Sequence, residues 1–266
     1  MITHITSLAN PRVTQIRDLH TTRGRKKSGL VLMEGPHLLE TLLAADMLPH
    51  EIYYQPELLQ RTPEGRALLD RLLHPTTSLA TVALFEVNER VALALSEAQT
   101  SQGVVSVLST QLLQAERLRA RRPPARRPAL LVLDALADPG NMGTILRTAL
   151  AADVEVVLLT PHCVDCYSPK VVRAAAGAHV ALPVETHLSW PAIEERIVGH
   201  CGVQRVFSAE AHAPTAYYVE NLAHPFALII GNEAHGLSPE AQALATRAIG
   251  IPLANQVESL NAAMAT

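Results

Sequence analysis

Polar side chains follow three apolar runs in the second half of the chain, where they could do chemistry. ALLVLDAL leads into ADPGNMG with Asn141, FALIIG leads into NEAHGLS with Glu233, and AIGIPL leads into ANQVESLN with Ser259 and Asn261. Arg147 follows the first of these turns, inside a segment of small and apolar residues. Glycine in two of the turns lets a ligand approach the backbone closely, because it adds no side chain. An ionised Glu233 just past a buried strand needs polar partners.

The chemistry of this set suits a phosphate or a developing oxyanion. A guanidinium stays charged, so Arg147 is a poor general base. It is a good bidentate ligand for phosphate and stabilises an oxygen that gains negative charge. Structural interpretations stay open beside this one. Asn141 suits a helix N-cap, Ser259 suits the cap of the last helix, and the Arg147 head group can simply reach solvent.

The elements that carry these turns predict an α/β fold. Near-continuous apolar runs alternate with helical patterns over residues 129–266, which indicates a parallel sheet covered by helices on both faces. Ligands of such sheets bind beyond the carboxyl ends of the strands, where all three turns lie. The strands are expected within 129–136, 154–160, 181–185, 204–211, 226–233 and 248–253.

The first half of the chain predicts a second, smaller α/β domain over residues 1–116, which begins with a basic segment. Its expected strands are 30–35, 51–55, 78–83 and 103–108, and its expected helices are 36–47, 62–73 and 84–95. Residues 117–128 hold six arginines and three prolines. Proline blocks a continued helix and like charges repel, so an extended linker should join this domain to residues 129–266.

Charge is distributed unevenly along the chain. Residues 1–128 carry a net charge of +4 and residues 129–266 carry −7, within a total of −3. A polyanion would therefore dock first on the front half, although random scatter of surface charge stays an alternative.

Several classes of protein are disfavoured by what the sequence lacks. Three cysteines cannot build a disulfide framework, and no apolar run approaches the roughly 18 residues of a membrane span, so we expect a cytoplasmic protein. Neither G-x-G-x-x-G nor a P-loop occurs. His162, Cys163 and Cys166 have a metal-like spacing, but a second such pair is missing and no metal is expected.

The three turns resemble the motifs of the SpoU/TrmH family of RNA ribose 2′-O-methyltransferases, within the SPOUT superfamily. The matching segments are DPGNMGTILRTA (138–149), IIGNEAHGLS (229–238) and IPLANQVESLN (251–261). VDCYSPKVVRAAAGA (164–178) is similar to the family's segment after the second strand. Residues 9–108 more weakly resemble the substrate-binding domain that often precedes this one.

The resemblance implies a fold and a cofactor that composition could not show. The C-terminal sheet would carry a deep trefoil knot that binds S-adenosylmethionine, and two copies would form a homodimer with the site near the interface. The front domain would resemble a small ribosomal-protein-like RNA-binding fold. Gly231, Ile251 and Leu260 match cofactor contacts made mostly through backbone groups. The implied active-site set is Asn141, Arg147, Glu233, Ser259 and Asn261.

The same resemblance implies roles for these side chains. Arg147 would grip the target phosphate and polarise the 2′-hydroxyl, with the alternative that it acts as a base. Asn141 and Asn261 would position the ribose or one another, Glu233 would fix the arginine or a loop, and Ser259 would bond a neighbouring loop. The expected RNA contacts are Arg23, Arg25, Lys26, Lys27, Lys170, Arg173 and the arginines of 117–128.

Ribosomal RNA is favoured over transfer RNA as substrate, because a separate front domain accompanies the knot. The alternatives are a transfer RNA methyltransferase, a non-catalytic RNA-binding module and a Rossmann-type oxidoreductase, the last disfavoured by the missing glycine fingerprint. One departure from the family concerns the last helix, which normally continues well beyond SLN. This sequence stops at Thr266, five residues after Asn261, so we expect that helix to be cut short.

Overall fold

The computed structural model describes residues 3–74, 79–115, 117–118, 129–255 and 257–266. The chain divides into two units, one of Met1–Leu113 with Tyr167–Val180 and one of Gln114–Cys166 with Ala181–Thr266. Residues 167–180, which the sequence analysis assigned to the C-terminal domain, therefore group with unit 1. The predicted extended linker lies outside the described residues except at 117 and 118.

Within the described residues, twelve strands form two sheets, one in each unit. The strands are β1 Thr3–Ile5, β2 Leu30–Glu34, β3 Glu51–Tyr54, β4 Ala83–Val87, β5 Val104–Ser109, β6 Ala129–Leu133, β7 Val156–Leu159, β8 Val184–Glu185, β9 Val206–Ala209, β10 Thr215–Ala216, β11 Phe226–Ile230 and β12 Arg247–Gly250.

The α-helices of the described residues vary from a single turn to thirteen residues. They are α1 Pro11–Asp18, α2 Thr22–Ser28, α3 Pro36–Ala44, α4 Pro56–Leu59, α5 Pro63–Leu73, α6 Glu89–Leu95, α7 Pro139–Ala151, α8 Pro169–Ala174, α9 Trp190–Cys201, α10 Pro239–Leu244 and α11 Ala262–Ala265. Within the described part of the chain, no helix is long and apolar enough to span a membrane.

Unit 1 is built on a mixed five-stranded sheet with the order β1-β4-β3-β5-β2. Strands β1, β3 and β4 run parallel, and β5 runs antiparallel to β2 and β3. Successive residues of a strand point to opposite faces, so β3 buries Tyr53 in one core and Ile52 and Tyr54 in the other. Residues of α1 and α6 share the first core, and those of α3 and α5 share the second.

Strand β4 corrects the predicted elements of unit 1. We expected a strand over 78–83 and a helix over 84–95, but the strand covers Ala83–Val87 and the helix begins only at Glu89. Phe85 and Val87 alternate into the core, and Phe85 stacks on Tyr53 with 4.9 Å between ring centroids. Asn88 then caps α6, since its side chain accepts a hydrogen bond from the Val91 amide at 2.9 Å.

Unit 2 is built on a seven-stranded sheet with the order β10-β12-β9-β11-β6-β7-β8. Every pairing in it is parallel, which confirms the parallel sheet predicted from the apolar runs. All four residues of β7 are buried, as expected when helices cover both faces of a sheet. Because β12, β9, β11 and β6 are consecutive neighbours, the turns after these strands meet at one edge.

Candidate active site

The first turn of the site is fixed by the start of helix α7. Asp138 caps the helix, and its Oδ1 accepts from the Asn141 amide at 2.7 Å. Pro139 occupies the first helical position, where its fixed φ suits the helix. The open interpretation of Asn141 as the N-cap is therefore wrong. Asn141 lies three residues after the N-cap, inside the helix, and its side chain is available for contacts with other turns.

Three of the predicted site residues form a continuous hydrogen-bonded chain. Asn141 donates from Nδ2 to Glu233 Oε1 at 3.0 Å, and its Oδ1 accepts from Asn261 Nδ2 at 2.8 Å. Asn141 must point its NH₂ group at Glu233, because an ionised carboxylate only accepts. We call Glu233, Asn141 and Asn261 the polar relay. It joins residues 92 and 120 positions apart in sequence.

The same contacts set the protonation of Glu233. Its oxygens also accept from the backbone amides of Ala137 at 3.2 Å and Asp138 at 3.3 Å. Desolvation raises the pKa of this carboxyl, but the hydrogen bonds from Asn141 and the backbone amides outweigh it and lower the pKa below the ordinary 4.5. Glu233 therefore holds the 137–141 turn as a carboxylate.

The last helix is also tied to the relay. Asn261 Oδ1 accepts from the Ala263 amide at 2.9 Å, so Asn261 caps α11 while its NH₂ group reaches Asn141. The open interpretation of Ser259 as this cap is therefore wrong. Helix α11 covers Ala262–Ala265, a single turn.

Two residues that sequence reasoning missed join the first two turns. Asp134 is 3% exposed and accepts from the Ser238 amide at 2.7 Å. Asn232 donates from Nδ2 to the Ala135 carbonyl at 2.7 Å, and its Oδ1 accepts from the Ala234 and His235 amides. The sequence could have pointed to Asp134, because a carboxylate inside an apolar run needs a buried partner.

Gly231 is required by the turn in which it lies. A Cβ there would be 2.5 Å from the carbonyl carbon and oxygen of Gly236, which no side chain tolerates. Asn232 and Gly236 exchange backbone hydrogen bonds of 2.8 and 2.9 Å and so close a tight hairpin. The hairpin therefore exposes the backbone of Gly231 to the cavity, because glycine has no side chain.

The turns surround a cavity of about 1320 Å³ in unit 2. Its wall combines polar groups of the relay with apolar side chains of β11 and β12, such as Leu228 and Ile249. Of the eight residues predicted to act in catalysis or cofactor binding, seven line it: Asn141, Gly231, Glu233, Ile251, Ser259, Leu260 and Asn261.

Arg147 is the exception. It lies six residues after Asn141 on α7, which turns its position about 120° around the helix axis. The side chain is exposed and does not line the cavity, and no hydrogen bond or ion pair joins it to another described residue. Within one chain, the arginine and the polar relay are thus on different faces of α7.

Cys163, one of the three residues with metal-like spacing, is hydrogen-bonded to the backbone. Cys163 donates from Sγ to the Leu133 carbonyl at 3.1 Å, and burial raises the pKa of its thiol. Among the described residues, no group of three or more His, Cys, Asp or Glu side chains is arranged to hold a metal ion.

Comparison with known proteins decides the family. The profile described as the SpoU rRNA Methylase family matches residues 128–266, and the MRM3-like substrate binding domain matches residues 10–106. The chain belongs to the SpoU rRNA methylase family.

Relatives of this SpoU-family chain match over nearly its whole length. A Synechocystis protein named as the uncharacterized tRNA/rRNA methyltransferase slr1673 is 37% identical over 99% of the chain and 90% of its own length. The 23S rRNA (guanosine(2553)-2'-O)-methyltransferase RlmP of Bacillus subtilis is 29% identical over 98% and 95%. The AdoMet-bound crystal structure of an rRNA methyltransferase from Sinorhizobium meliloti is 26% identical, covers 99% and 94% of the two chains, and superimposes with a TM-score of 0.77.

The basic residues of the SpoU-family chain divide into exposed and buried groups. Arg23, Lys26 and Lys27 on α2 are exposed, as are Lys170 and Arg173 on α8.

Arg25 corrects the predicted RNA contacts. It is only 5% exposed and donates to the Leu19 carbonyl at 2.7 Å and to Thr22 Oγ1 at 3.1 Å. Its guanidinium therefore ties α2 to the end of α1 and does not face a phosphate.

Proposed function

We propose that this chain transfers a methyl group from S-adenosylmethionine to a ribose 2′-hydroxyl of ribosomal RNA. The observation that carries the proposal is the polar relay at the wall of a cavity bordered by the three family motifs. The names of the B. subtilis and S. meliloti relatives support a ribosomal substrate. The Synechocystis name keeps transfer RNA as the second candidate.

The cavity is large enough for S-adenosylmethionine, and its lining suits the chemistry of this cofactor. Gly231 offers bare backbone, and Ile251 and Leu260 add wall residues from the last motif. Apolar side chains such as Leu228 and Ile249 suit an adenine ring, and backbone groups suit its polar edge. When bound, the cofactor supplies an electrophilic methyl group on sulfonium. Gly231, Ile251 and Leu260 are the residues we assign to holding it.

Asn141 and Asn261 position the ribose in this proposal. In the relay each amide uses one N–H, which leaves a second N–H on each side chain for a substrate oxygen. Glu233 keeps the 137–141 turn in place, and Ser259 lines the same wall. Positioning of this kind lowers the barrier by holding the hydroxyl oxygen in line with the methyl group.

We assign Arg147 to the phosphate of the target nucleotide and to polarisation of its 2′-hydroxyl. A guanidinium without a protein partner is available to a phosphate, which it binds through two N–H groups. Because Arg147 does not line the cavity of its own chain, we also propose a homodimer in which the partner's cavity receives it. Exposed apolar side chains next to the relay, Leu260 and Met264, support a covered surface there.

The remaining architectural predictions become part of the proposal. We propose a deep trefoil knot in the domain of residues 129–266, a ribosomal-protein-like RNA-binding fold in residues 1–116, and a cytoplasmic location. Support for the knot is the strand order, in which the late strand β12 lies between β9 and β10. Support for the front domain is the profile match over residues 10–106.

A methyl-transfer assay tests the proposal. Purified chain, labelled S-adenosylmethionine and either 23S ribosomal RNA or total transfer RNA are combined, and 2′-O-methylated positions are mapped. We expect label in ribosomal RNA, and label in transfer RNA alone would favour the second candidate. Binding of S-adenosylmethionine without transfer to any RNA would indicate a non-catalytic module, and binding of NADH instead would indicate an oxidoreductase.

A further inference from the structure

Three carboxylate side chains line the cavity within the described residues, and only one of them has no contact with the first turn. Asp138 caps α7, and Glu233 accepts from Asn141 and two backbone amides. The third, Glu210, contacts neither that turn nor the relay. Glu210 is exposed at the cavity wall, so its carboxylate is accessible to a bound group that supplies hydrogen-bond donors.

Glu210 is held in a defined place at the carboxyl edge of the sheet. It directly follows β9, which lies between β11 and β12. Its amide donates to the Ile249 carbonyl at 3.0 Å, and Gly250 passes so close that a Cβ there would be 2.7 Å from the Glu210 carbonyl oxygen. The backbone at Glu210 is therefore fixed against β12.

The side chain of Glu210 is also oriented. Oε1 accepts from Ser208 Oγ at 2.7 Å, and Ser208 is 1% exposed. For Oε2, no hydrogen bond or ion pair is found within the described residues. An acceptor-only group, anchored through one oxygen and open at the other, suits a ligand with adjacent hydroxyl donors.

We propose that Glu210, oriented by Ser208, accepts hydrogen bonds from the ribose hydroxyls of the cofactor's adenosyl group. A cis-diol presents two neighbouring O–H donors, and charge-assisted bonds to a carboxylate are stronger than neutral ones. An acidic side chain near the carboxyl edge of a parallel sheet is a known solution for a ribose hydroxyl in dinucleotide-binding folds. Apolar Leu228 and Ile249 line the same cavity and suit the adjoining base. This subsite rests on the proposed function.

Calorimetric titration with S-adenosylhomocysteine and its 2′-deoxy and 3′-deoxy analogues tests the subsite without any turnover. Wild type should bind each deoxy analogue on the order of tenfold more weakly than S-adenosylhomocysteine. Glu210→Ala should bind S-adenosylhomocysteine about tenfold more weakly than wild type and no longer distinguish the deoxy analogues. Glu210→Gln, which keeps one acceptor, should lie between them.

Two further variants serve as controls for this interpretation. Ser208→Ala keeps the carboxylate but removes its anchor, so a few-fold loss is expected. Glu194→Ala removes an exposed carboxylate of α9 that does not line the cavity, and it should bind like wild type. Thermal melting confirms that every variant is folded.

Distinct results overturn the subsite and the proposed function. The subsite is wrong if Glu210→Ala binds S-adenosylhomocysteine as wild type does, or still distinguishes the deoxy analogues. It is also wrong if Glu210→Ala weakens S-adenosylhomocysteine but not 5′-methylthioadenosine, because the contact then lies at the amino-acid moiety. Wild type that binds no S-adenosylhomocysteine at all would instead overturn the proposed function, and the subsite with it.

Discussion

The polar relay of unit 2 and the basic helix α2 of unit 1 use polar side chains in opposite ways. In the relay, Asn141 and Asn261 hydrogen-bond through their side chains to residues far away in sequence. In α2, Arg25 turns inward onto residues three and six positions earlier, while Lys26 beside it faces solvent.

This difference separates residues whose loss should impair chemistry from residues whose loss should impair folding. At the edge of a parallel sheet, position after a strand is enough to bring side chains together. On a helix, neighbours in sequence face different directions, so one basic cluster contains both a structural residue and surface residues. Three variants test this separation, beginning with the largest effect, and a fourth tests the charge state of Glu233.

Arg147→Ala should abolish most of the methyl transfer. Loss of a group that stabilises developing negative charge costs about 10²–10³-fold in kcat. Binding of S-adenosylhomocysteine should stay unchanged, since Arg147 is assigned to the phosphate and 2′-hydroxyl of the substrate and not to the cofactor. Single-turnover assays and calorimetry measure the two quantities. Arg147→Lys is the matched variant and should recover little, because the ammonium lacks the bidentate fork. Unchanged turnover in Arg147→Ala would remove this residue from the mechanism.

Asn261→Asp should separate the relay from the helix cap. Aspartate still accepts from the Ala263 amide, so α11 stays capped, but it cannot donate to Asn141. We expect a loss of about 10–100-fold in kcat/KM, a typical effect of misplacing a reacting group. Asn261→Ala removes both contacts and is the comparison variant. If Asn261→Asp were fully active, the relay would have no role beyond capping.

Arg25→Met should destabilise unit 1 without lowering maximal methyl transfer. The variant leaves the Leu19 carbonyl without its guanidinium donor, which costs about 2 kcal/mol in the free energy of unfolding. Lys26→Met, one residue along, should change that free energy by less than about 0.5 kcal/mol. Urea denaturation gives both values. Equal effects of the two substitutions would contradict the distinction between buried and surface positions on α2.

Glu233→Gln should reduce the dependence of stability on acid. The folded-state pKa of Glu233 is lowered, so its contribution is present above the ordinary value of 4.5 and is lost as the pH falls through the folded pKa. Glu233 is exposed, so screening keeps the difference below about 1 kcal/mol between about pH 6 and pH 4. Denaturation of both proteins across this range measures it. A steeper loss in the variant than in wild type would reverse the sign and contradict the assignment.

Much of the fold could be predicted because unit 2 follows a simple pattern. Strands buried on both faces appear as continuous apolar runs, and β6, β7 and β11 lie within the predicted ranges. Strand β4 could not be placed as well. Its ALFEV sequence alternates only from Phe85 to Val87 before Asn88 starts a helix, and this is too short to distinguish a strand from a helical turn.

The site was predictable to the extent that its residues follow strands. Asn141 and Glu233 meet because β6 and β11 are neighbours, and Asn261 follows β12 at the same edge of the sheet. No spacing in sequence reveals which hydrogen bonds form. The contacts of Asp134 and Asn232 depend on backbone groups of another turn, which a sequence does not show. Burial of Arg25 depends on how α2 follows α1, which charge alone does not determine.

The hairpin at Gly231 also limits how the proposed cofactor site can open. Gly231 lies close to the Gly236 backbone, and two hydrogen bonds between Asn232 and Gly236 close the hairpin. The hairpin therefore cannot move outward without breaking both bonds. We therefore expect exchange of spent for fresh methyl donor to proceed while the glycine hairpin stays in place.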